Sequence, residues 1–461
     1  MTEKLNPPAA VSIPDVHSPS FDAAAVRDGL ARLRRLPLEP TTKGFAGVDP
    51  EAVQDPDELV AAGVDLTDSM FSTPLLVLRE TAIEHNVQTM AEFCASSGVL
   101  LAPHAKTTMS PEIFTRQLAA GAWALTAANP SQATVFARFG ARRILVANEV
   151  VDPAGIRALL RLLARLPDLE LCCYVDSVAG ALALDDAARH CDPPPARRLP
   201  VLVEYGVPDG RSGVRSVAEG LELAERVSQT STLGLAGVSC FEGTLGHGSD
   251  PETLAAVADL CARVRELGEA MVDRGYVRHG FDGRPLRAPS LVLSAGGSHY
   301  FDVVARELSR SRVPDTHVVV RSGSYVVHDH GVYLHSSPAL REDGLPEFEP
   351  AIEIRASVLS RPQPDLVLLN AGRRDVAFDA GLPVVLGAVD PERGPVAVDG
   401  AVVTDLNDQH AFVAVPPSSE LAVGDVVVLG ISHPCTTLDK WQVAVVVDDS
   451  DRVAGVAHTL F

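Results

Sequence analysis

From Thr73 onward the chain alternates short apolar runs with longer amphipathic ones. The short runs, rich in β-branched residues, lie at 73–78 (TPLLVL), 100–106 (LLAPHAK), 123–128 (WALTAA), 143–148 (RILVAN), 170–176 (ELCCYVD), 200–206 (PVLVEYG), 235–241 (LAGVSCF) and 291–297 (LVLSAGG). The segments between them, such as TAIEHNVQTMAEFCASSG, have helical periodicity, and Gly98, Gly121 and Gly140 stand where helices should stop. Strands that are apolar almost throughout are buried on both faces, which implies parallel strands under helices. Eight such units predict a (β/α)8 barrel. An open doubly wound sheet is the rival; the strand count and the lack of a GxGxxG after the first strand argue against it.

After about residue 317 the rhythm changes. The runs 316–329, 350–362, 365–372, 411–416, 424–432 and 441–449 read as strands joined by turns, hence a C-terminal all-β domain. Residues 1–70 are rich in Pro, Asp and Ala and contain one expected helix, 21–36. The predicted organisation is an N-terminal extension (1–70) packed on the main body or on a second subunit, a barrel (71–325) and a β domain (326–461).

Composition narrows the function classes. With 46% hydrophobic residues and no run of 18 apolar ones, the chain reads as globular and without a membrane span. A net charge of −21 argues against a nucleic-acid partner, which needs clustered Lys and Arg. Seven cysteines without a disulfide-like pattern suit reduced thiols in a cytoplasm. The start MTEKLNPPAAVSIPD lacks a basic segment followed by an apolar one, so no secretory signal is expected.

Candidate chemistry gathers at strand ends, where a barrel carries its active site. Lys106 ends the second strand candidate; it is either solvated rim or an amine desolvated by the barrel wall, able to form a Schiff base. His104 points with it by period-two alternation, as a proton carrier or as hydrogen-bonded support. Gly296, Gly297 and Ser298 form a turn before a helix, either a plain tight turn or a phosphate cradle. Arg211, between glycines after the sixth strand candidate, is a surface arginine or a ligand contact. Together a lysine, an arginine and a phosphate cradle suit pyridoxal 5′-phosphate. His433 and Cys435 face one side of an extended segment and are able to hold a metal, with zinc favoured; the bland alternative is a free thiol in a polar turn. A Cys–His hydrolase dyad is a third reading, but neighbours at i and i+2 rarely reach each other in that geometry.

The motifs PHAKTTMSPEI, VEYGVPDGRSGVR, SAGGSHYFD, RSGSYVVHD and SHPCTTLDKW, in this order, resemble fold-type III pyridoxal-phosphate enzymes of the D-serine dehydratase and D-threonine aldolase group. The resemblance covers about residues 70–461 and implies an alanine racemase-type barrel followed by a D-serine dehydratase-like domain. By position it implies Lys106 as the Schiff-base lysine and Arg211 facing the pyridine nitrogen. It implies Gly296, Gly297 and Ser298 as the phosphate turn, Tyr325 as a further cofactor neighbour, and His433 with Cys435 as the metal pair. Cysteine where the aldolases usually have aspartate tilts the resemblance towards dehydratases. Thr108 stands where many relatives have a histidine assigned as the aldolase base. The implied activity is zinc-dependent deamination of a D-3-hydroxy amino acid such as D-serine; the alternatives are retro-aldol cleavage to glycine and an aldehyde, and a non-catalytic cofactor carrier. In relatives the β domain reaches the barrel mouth from the partner subunit, which implies a head-to-tail homodimer.

Overall fold

The computed structural model describes residues 20–49, 56–246, 248–342 and 344–461. The segment on which the expected lack of a secretory signal rests lies outside them. Nine strands come first: β1 (Leu75–Arg79), β2 (Leu100–Leu101), β3 (Leu125–Ala127), β4 (Arg143–Glu149), β5 (Glu170–Val175), β6 (Leu199–Tyr205), β7 (Leu233–Cys240), β8 (Ser290–Ala295) and β9 (Asp315–Val320). Strands β2 to β9 form one parallel sheet in the order β2-β9-β8-β7-β6-β5-β4-β3. Its two edges meet: Trp123 N donates to Leu101 O at 2.7 Å, Thr126 N to Pro103 O at 2.9 Å, and His104 bridges Thr126 in parallel. This is the expected barrel.

Alternation explains the continuous apolar runs. Leu145, Cys172, Leu202, Val292 and Val319 fill the barrel, while Ile144, Leu171, Val201, Leu291 and Val318 face the surrounding helices. One step further along each strand the inward positions become polar (Glu204, Ser294 and Arg321), and this change marks the mouth. The helices begin on side-chain caps, such as Asp152 to Gly155 N and Ser216 to Glu219 N.

The strands that make up the eight differ from the sequence expectation in two places. The run at 73–78 does not open the barrel. It becomes β1, in a second sheet, antiparallel to β10 (Ile352–Gln363) and parallel to β17 (Val443–Val447). The run at 316 does not open the β domain; it is β9, the barrel strand between β8 and β2. Periodicity identifies a buried strand but not its partners, so the two sheets trade one strand each. The strands between are β11 (Leu366–Leu369), β12 (Val384–Asp390), β13 (Gly394–Val396), β14 (Val402–Leu406), β15 (Ala411–Ala414) and β16 (Val426–Gly430), and β18 (Val453–His458) closes the chain. The second sheet runs β13-β12-β16-β10-β1-β17-β18, with β11, β15 and β14 branching from β10.

The extension packs on the main body. Its helix, Ala23–Arg34, is capped by Asp22, which also pairs with Arg142 at 2.7 Å. Gly140, at φ +93°, stops the preceding helix, and a Cβ there would lie 2.7 Å from Val26 and 2.8 Å from Asp22 O. Further on, Leu38, Phe45, Val48 and Met70 cover the outer face of β1 and β17 in a second apolar cluster. Among the described residues no helix is long and apolar enough to cross a membrane.

Candidate functional site

A cavity of about 550 Å³ opens at the C-terminal ends of the barrel strands. Of the residues singled out from the sequence, His104, Lys106, Arg211, Gly296, Gly297, Ser298, His433 and Cys435 line it. Tyr325 does not. Its ring is buried behind the wall, where its hydroxyl accepts a hydrogen bond from Gln117 Nε2 at 2.8 Å. The short helical turn Ser324–Val326 swings it outward; Tyr333, eight residues on, lines the cavity instead.

Lys106 and His104 arrive by a different route from the expected one. β2 ends at Leu101, and Ala105–Thr107 form a 3₁₀ turn, so strand alternation does not govern these positions. The turn still brings both side chains to the cavity. Among the described residues no group hydrogen-bonds or pairs with Lys106 Nζ. His104 is held neutral: burial pushes its imidazole well below the ordinary range, and the charges of Lys106 and Arg321 push further. Its Nδ1 is buried without a partner. A ring in this state offers a hydrogen-bond partner rather than a stored proton.

The floor is cationic, through a residue the motifs did not single out. Arg321 follows β9 and is 5% exposed. It donates to Ser294 Oγ at 2.7 Å, Ser239 Oγ at 3.1 Å and Cys240 O at 2.6 Å. Arg211 is exposed at the rim, its guanidinium 4.6 Å from the centre of the Phe241 ring. On the wall nearby, the carboxyls of Glu149 and Glu204 lie side by side. Burial first, then the adjacent Glu204 carboxyl and its charge, hold the Glu149 carboxyl well above the ordinary carboxylate range. Glu204 Oε2 is buried and unpartnered.

The glycine turn also differs from expectation. Gly296 N donates to Glu242 Oε2 at 2.9 Å and Gly297 N donates to Glu242 Oε1. Glu242 is wholly buried. The two N–H groups read as a phosphate cradle therefore already hold a carboxylate, and the polar atom left over is Ser298 Oγ, buried and without a partner. Gly296 needs its φ of +109°, which suits glycine.

His433 and Cys435 meet, but not as neighbours on a strand. Pro434 is already helical and Cys435 opens the short helix Cys435–Leu438. The two side chains lie close enough to influence each other's protonation. Interaction with the Cys435 thiol, opposed by burial, raises His433 to about 9. Burial pushes the Cys435 thiol up, but its interaction with the His433 imidazole and that ring's charge bring it below the ordinary range. His433 Nδ1 donates to Asp379 Oδ2 at 2.7 Å, and Thr436 Oγ1 donates to Asp379 Oδ1 at 2.8 Å. Cys435 Sγ lies 3.5 Å from Thr107 Oγ1, one residue from Lys106. His433 and Cys435 of the second sheet's domain thus line the barrel mouth of the same chain.

The residues present suit both implied groups. An unpaired amine, an unpartnered Ser298 hydroxyl and a fixed cation on the floor are complementary to an aldehyde, a phosphate and an electron-poor ring. His433 Nε2 and Cys435 Sγ are two donors for a divalent ion, with Asp379 fixing the ring as a carboxylate behind a ligating histidine does. Among the described residues no cluster of three or more His, Cys, Asp or Glu surrounds a common point, so further ligands would come from water or substrate.

Comparisons with known proteins agree with this picture. Residues 78–279 match the family model "Alanine racemase, N-terminal domain" and residues 351–447 match "Putative serine dehydratase domain". The chain is 30% identical to a D-threonine aldolase of Arthrobacter sp. over 379 residues, 82% of this chain and 89% of that one. It is 28% identical to the D-threo-3-hydroxyaspartate dehydratase of Delftia sp. (strain HT23) over 350 residues, covering 74% and 83%. The D-threonine aldolase structure from Filomicrobium marinum superposes with a TM-score of 0.71 at 25% identity, over 86% of this chain and 97% of that one.

Proposed function

The chain belongs to the fold-type III pyridoxal-phosphate lyases of the D-serine dehydratase and D-threonine aldolase group, and from that membership we propose that it deaminates a D-3-hydroxy amino acid such as D-serine to a 2-keto acid and ammonia, with zinc as a second cofactor. The observation that carries this reading is the meeting of Lys106 with His433 and Cys435 in one cavity. Pyridoxal phosphate supplies an aldehyde for an amine and an electron sink for the bond broken at the α-carbon. Lys106 Nζ would hold the cofactor and would be the base for the substrate's α-proton. Ser298 Oγ would hold its phosphate, Arg321 would be the fixed cation on the floor beneath it, and Arg211 at the rim would meet the substrate carboxylate. His433 Nε2 and Cys435 Sγ hold the zinc, a Lewis acid for the departing β-hydroxyl. Two solved structures of D-threo-3-hydroxyaspartate dehydratase are of variants in which a histidine and a cysteine two positions apart are replaced by alanine, the cysteine variant being metal-free. His433 and Cys435 have that spacing.

Retro-aldol cleavage is the second reading, favoured by the 30% identity to an aldolase over most of the chain. The test is incubation of the purified protein, loaded with pyridoxal phosphate and zinc, with D-serine, D-threonine and 3-hydroxy-D-aspartate. Keto acid without glycine supports elimination, and glycine with an aldehyde supports the aldolase. Consumption of the L-enantiomers instead overturns the stereochemical assignment.

A further inference from the structure

Among the described residues the N-terminal extension touches the metal-binding corner through an ion pair whose carboxylate is buried. Lys43 Nζ lies 2.5 Å from Asp375 Oδ1, donates to Arg374 O at 2.9 Å and sits 3.9 Å from the centre of the Trp441 ring. Asp375 is 1% exposed at its side chain. Its other oxygen accepts Gly372 N at 2.8 Å, and its carbonyl accepts Trp441 Nε1 at 2.9 Å. No described donor other than Lys43 serves Oδ1. Removing the lysine would leave a buried carboxylate uncompensated, which is far more costly than never having had the pair.

Asp375 lies within the loop 372–379, and that loop is stitched to the turn carrying His433 and Cys435. Ala377 N donates to Thr437 Oγ1 at 3.0 Å, and Thr437 Oγ1 donates to His433 O at 3.1 Å. The loop ends at Asp379, which orients the His433 ring. Two residues on, Phe45 packs edge-on against Phe71 with centroids 5.7 Å apart and belongs to the cluster over β1 and β17.

We propose that Lys43 is a positioning residue for the His433–Cys435 pair: by neutralising Asp375 the extension sets the loop whose Asp379 aims His433 at its ligand. This rests on the reading that the pair binds a divalent ion. Second-sphere partners of metal-ligating histidines are typically worth 10- to 100-fold in affinity. A contact one link further out should sit at the low end, so Lys43→Met should weaken zinc binding about tenfold in a chelator competition. The double variant Lys43→Met/Asp375→Asn, which leaves no charge to compensate, should bind within about twofold of the parent. Hydrogen exchange on the metal-free protein tests the mechanical link independently. Lys43→Met should speed exchange both in 372–379 and in 432–438, and the double variant should slow it again. Faster exchange around 372–376 with 432–438 unchanged, or unaltered zinc affinity with a lower melting temperature, overturns the proposal. Failure of the unmodified protein to bind zinc would remove the metal reading alone; the exchange pattern then decides whether the strap positions the corner.

Discussion

Replacing Glu242 by Gln changes one acceptor into a donor at the phosphate end of the cavity. In the native turn both carboxylate oxygens accept backbone N–H groups, from Gly296 and Gly297. The glutamine amide keeps one of these bonds, while its NH₂ faces the other N–H. Hydrogen bonds to charged groups contribute roughly 1.5–3 kcal/mol, and an orphaned buried donor costs roughly 1–3 kcal/mol. The turn should therefore loosen by about 2–4 kcal/mol, and the backbone that presents Ser298 loosens with it. If one hydrogen bond to the cofactor's phosphate is lost as a result, affinity for pyridoxal phosphate should fall about tenfold or more. Pyridoxal, which has no phosphate, is the control: its affinity should be unchanged. Equilibrium titration followed by cofactor absorbance gives both constants, and their ratio isolates the phosphate end from any general loss of stability. Tighter binding of pyridoxal phosphate by the variant would refute the reasoning, because it would mean that the carboxylate competes with the phosphate.

Lys106→Ala should abolish covalent retention of the cofactor, so that pyridoxal phosphate is lost completely on gel filtration; borohydride reduction of the unmodified protein should fix it to Lys106, as read by peptide mass. Glu149→Gln tests the proton held on the Glu149 carboxyl. The folded state binds that proton more tightly than the unfolded chain, so its stabilising contribution is complete at low pH and fades as pH climbs from the ordinary carboxylate range through neutrality. The glutamine variant should match the parent near pH 4.5 and exceed it increasingly towards pH 8 in urea unfolding; parallel curves would disprove the pairing. Dialysis against a strong chelator should remove keto-acid formation while leaving the cofactor bound, and zinc should restore it.

The βα rhythm was legible because both faces of each strand are buried, so that Ile144 and Leu145, or Val201 and Leu202, are apolar alike. Partner choice was not legible. TPLLVL and THVVV are equally apolar, and nothing local tells β1 to lie between β10 and β17. The lysine turn, the Gly-Gly-Ser turn and the His-x-Cys pair were found by residue type and spacing, yet in each the backbone differs from the one assumed. Lys106 sits on a 3₁₀ turn, Gly296 and Gly297 hold a side chain, and Cys435 opens a helix. Arg321 escaped notice because an arginine after VVV looks like a strand surfacing, when the barrel buries it among Ser239, Ser294 and Cys240. Glu242 and the Glu149–Glu204 pair depend on contacts between strands distant in sequence, which no window along the chain contains.

The position of β1 bears on how the protein is made. It emerges first from the ribosome among the sheet-forming segments, yet its neighbours β10 and β17 begin about 280 and 370 residues later. During synthesis the barrel has all its strands once β9 is out, while β1 must wait, an exposed edge with no mate. Expressing residues 350–461 alone would leave a slot between β10 and β17 with unmet peptide groups on both sides. A nick in the linker near residue 340, by contrast, should leave two fragments that stay together, sewn by a strand that belongs to one by sequence and to the other by pairing.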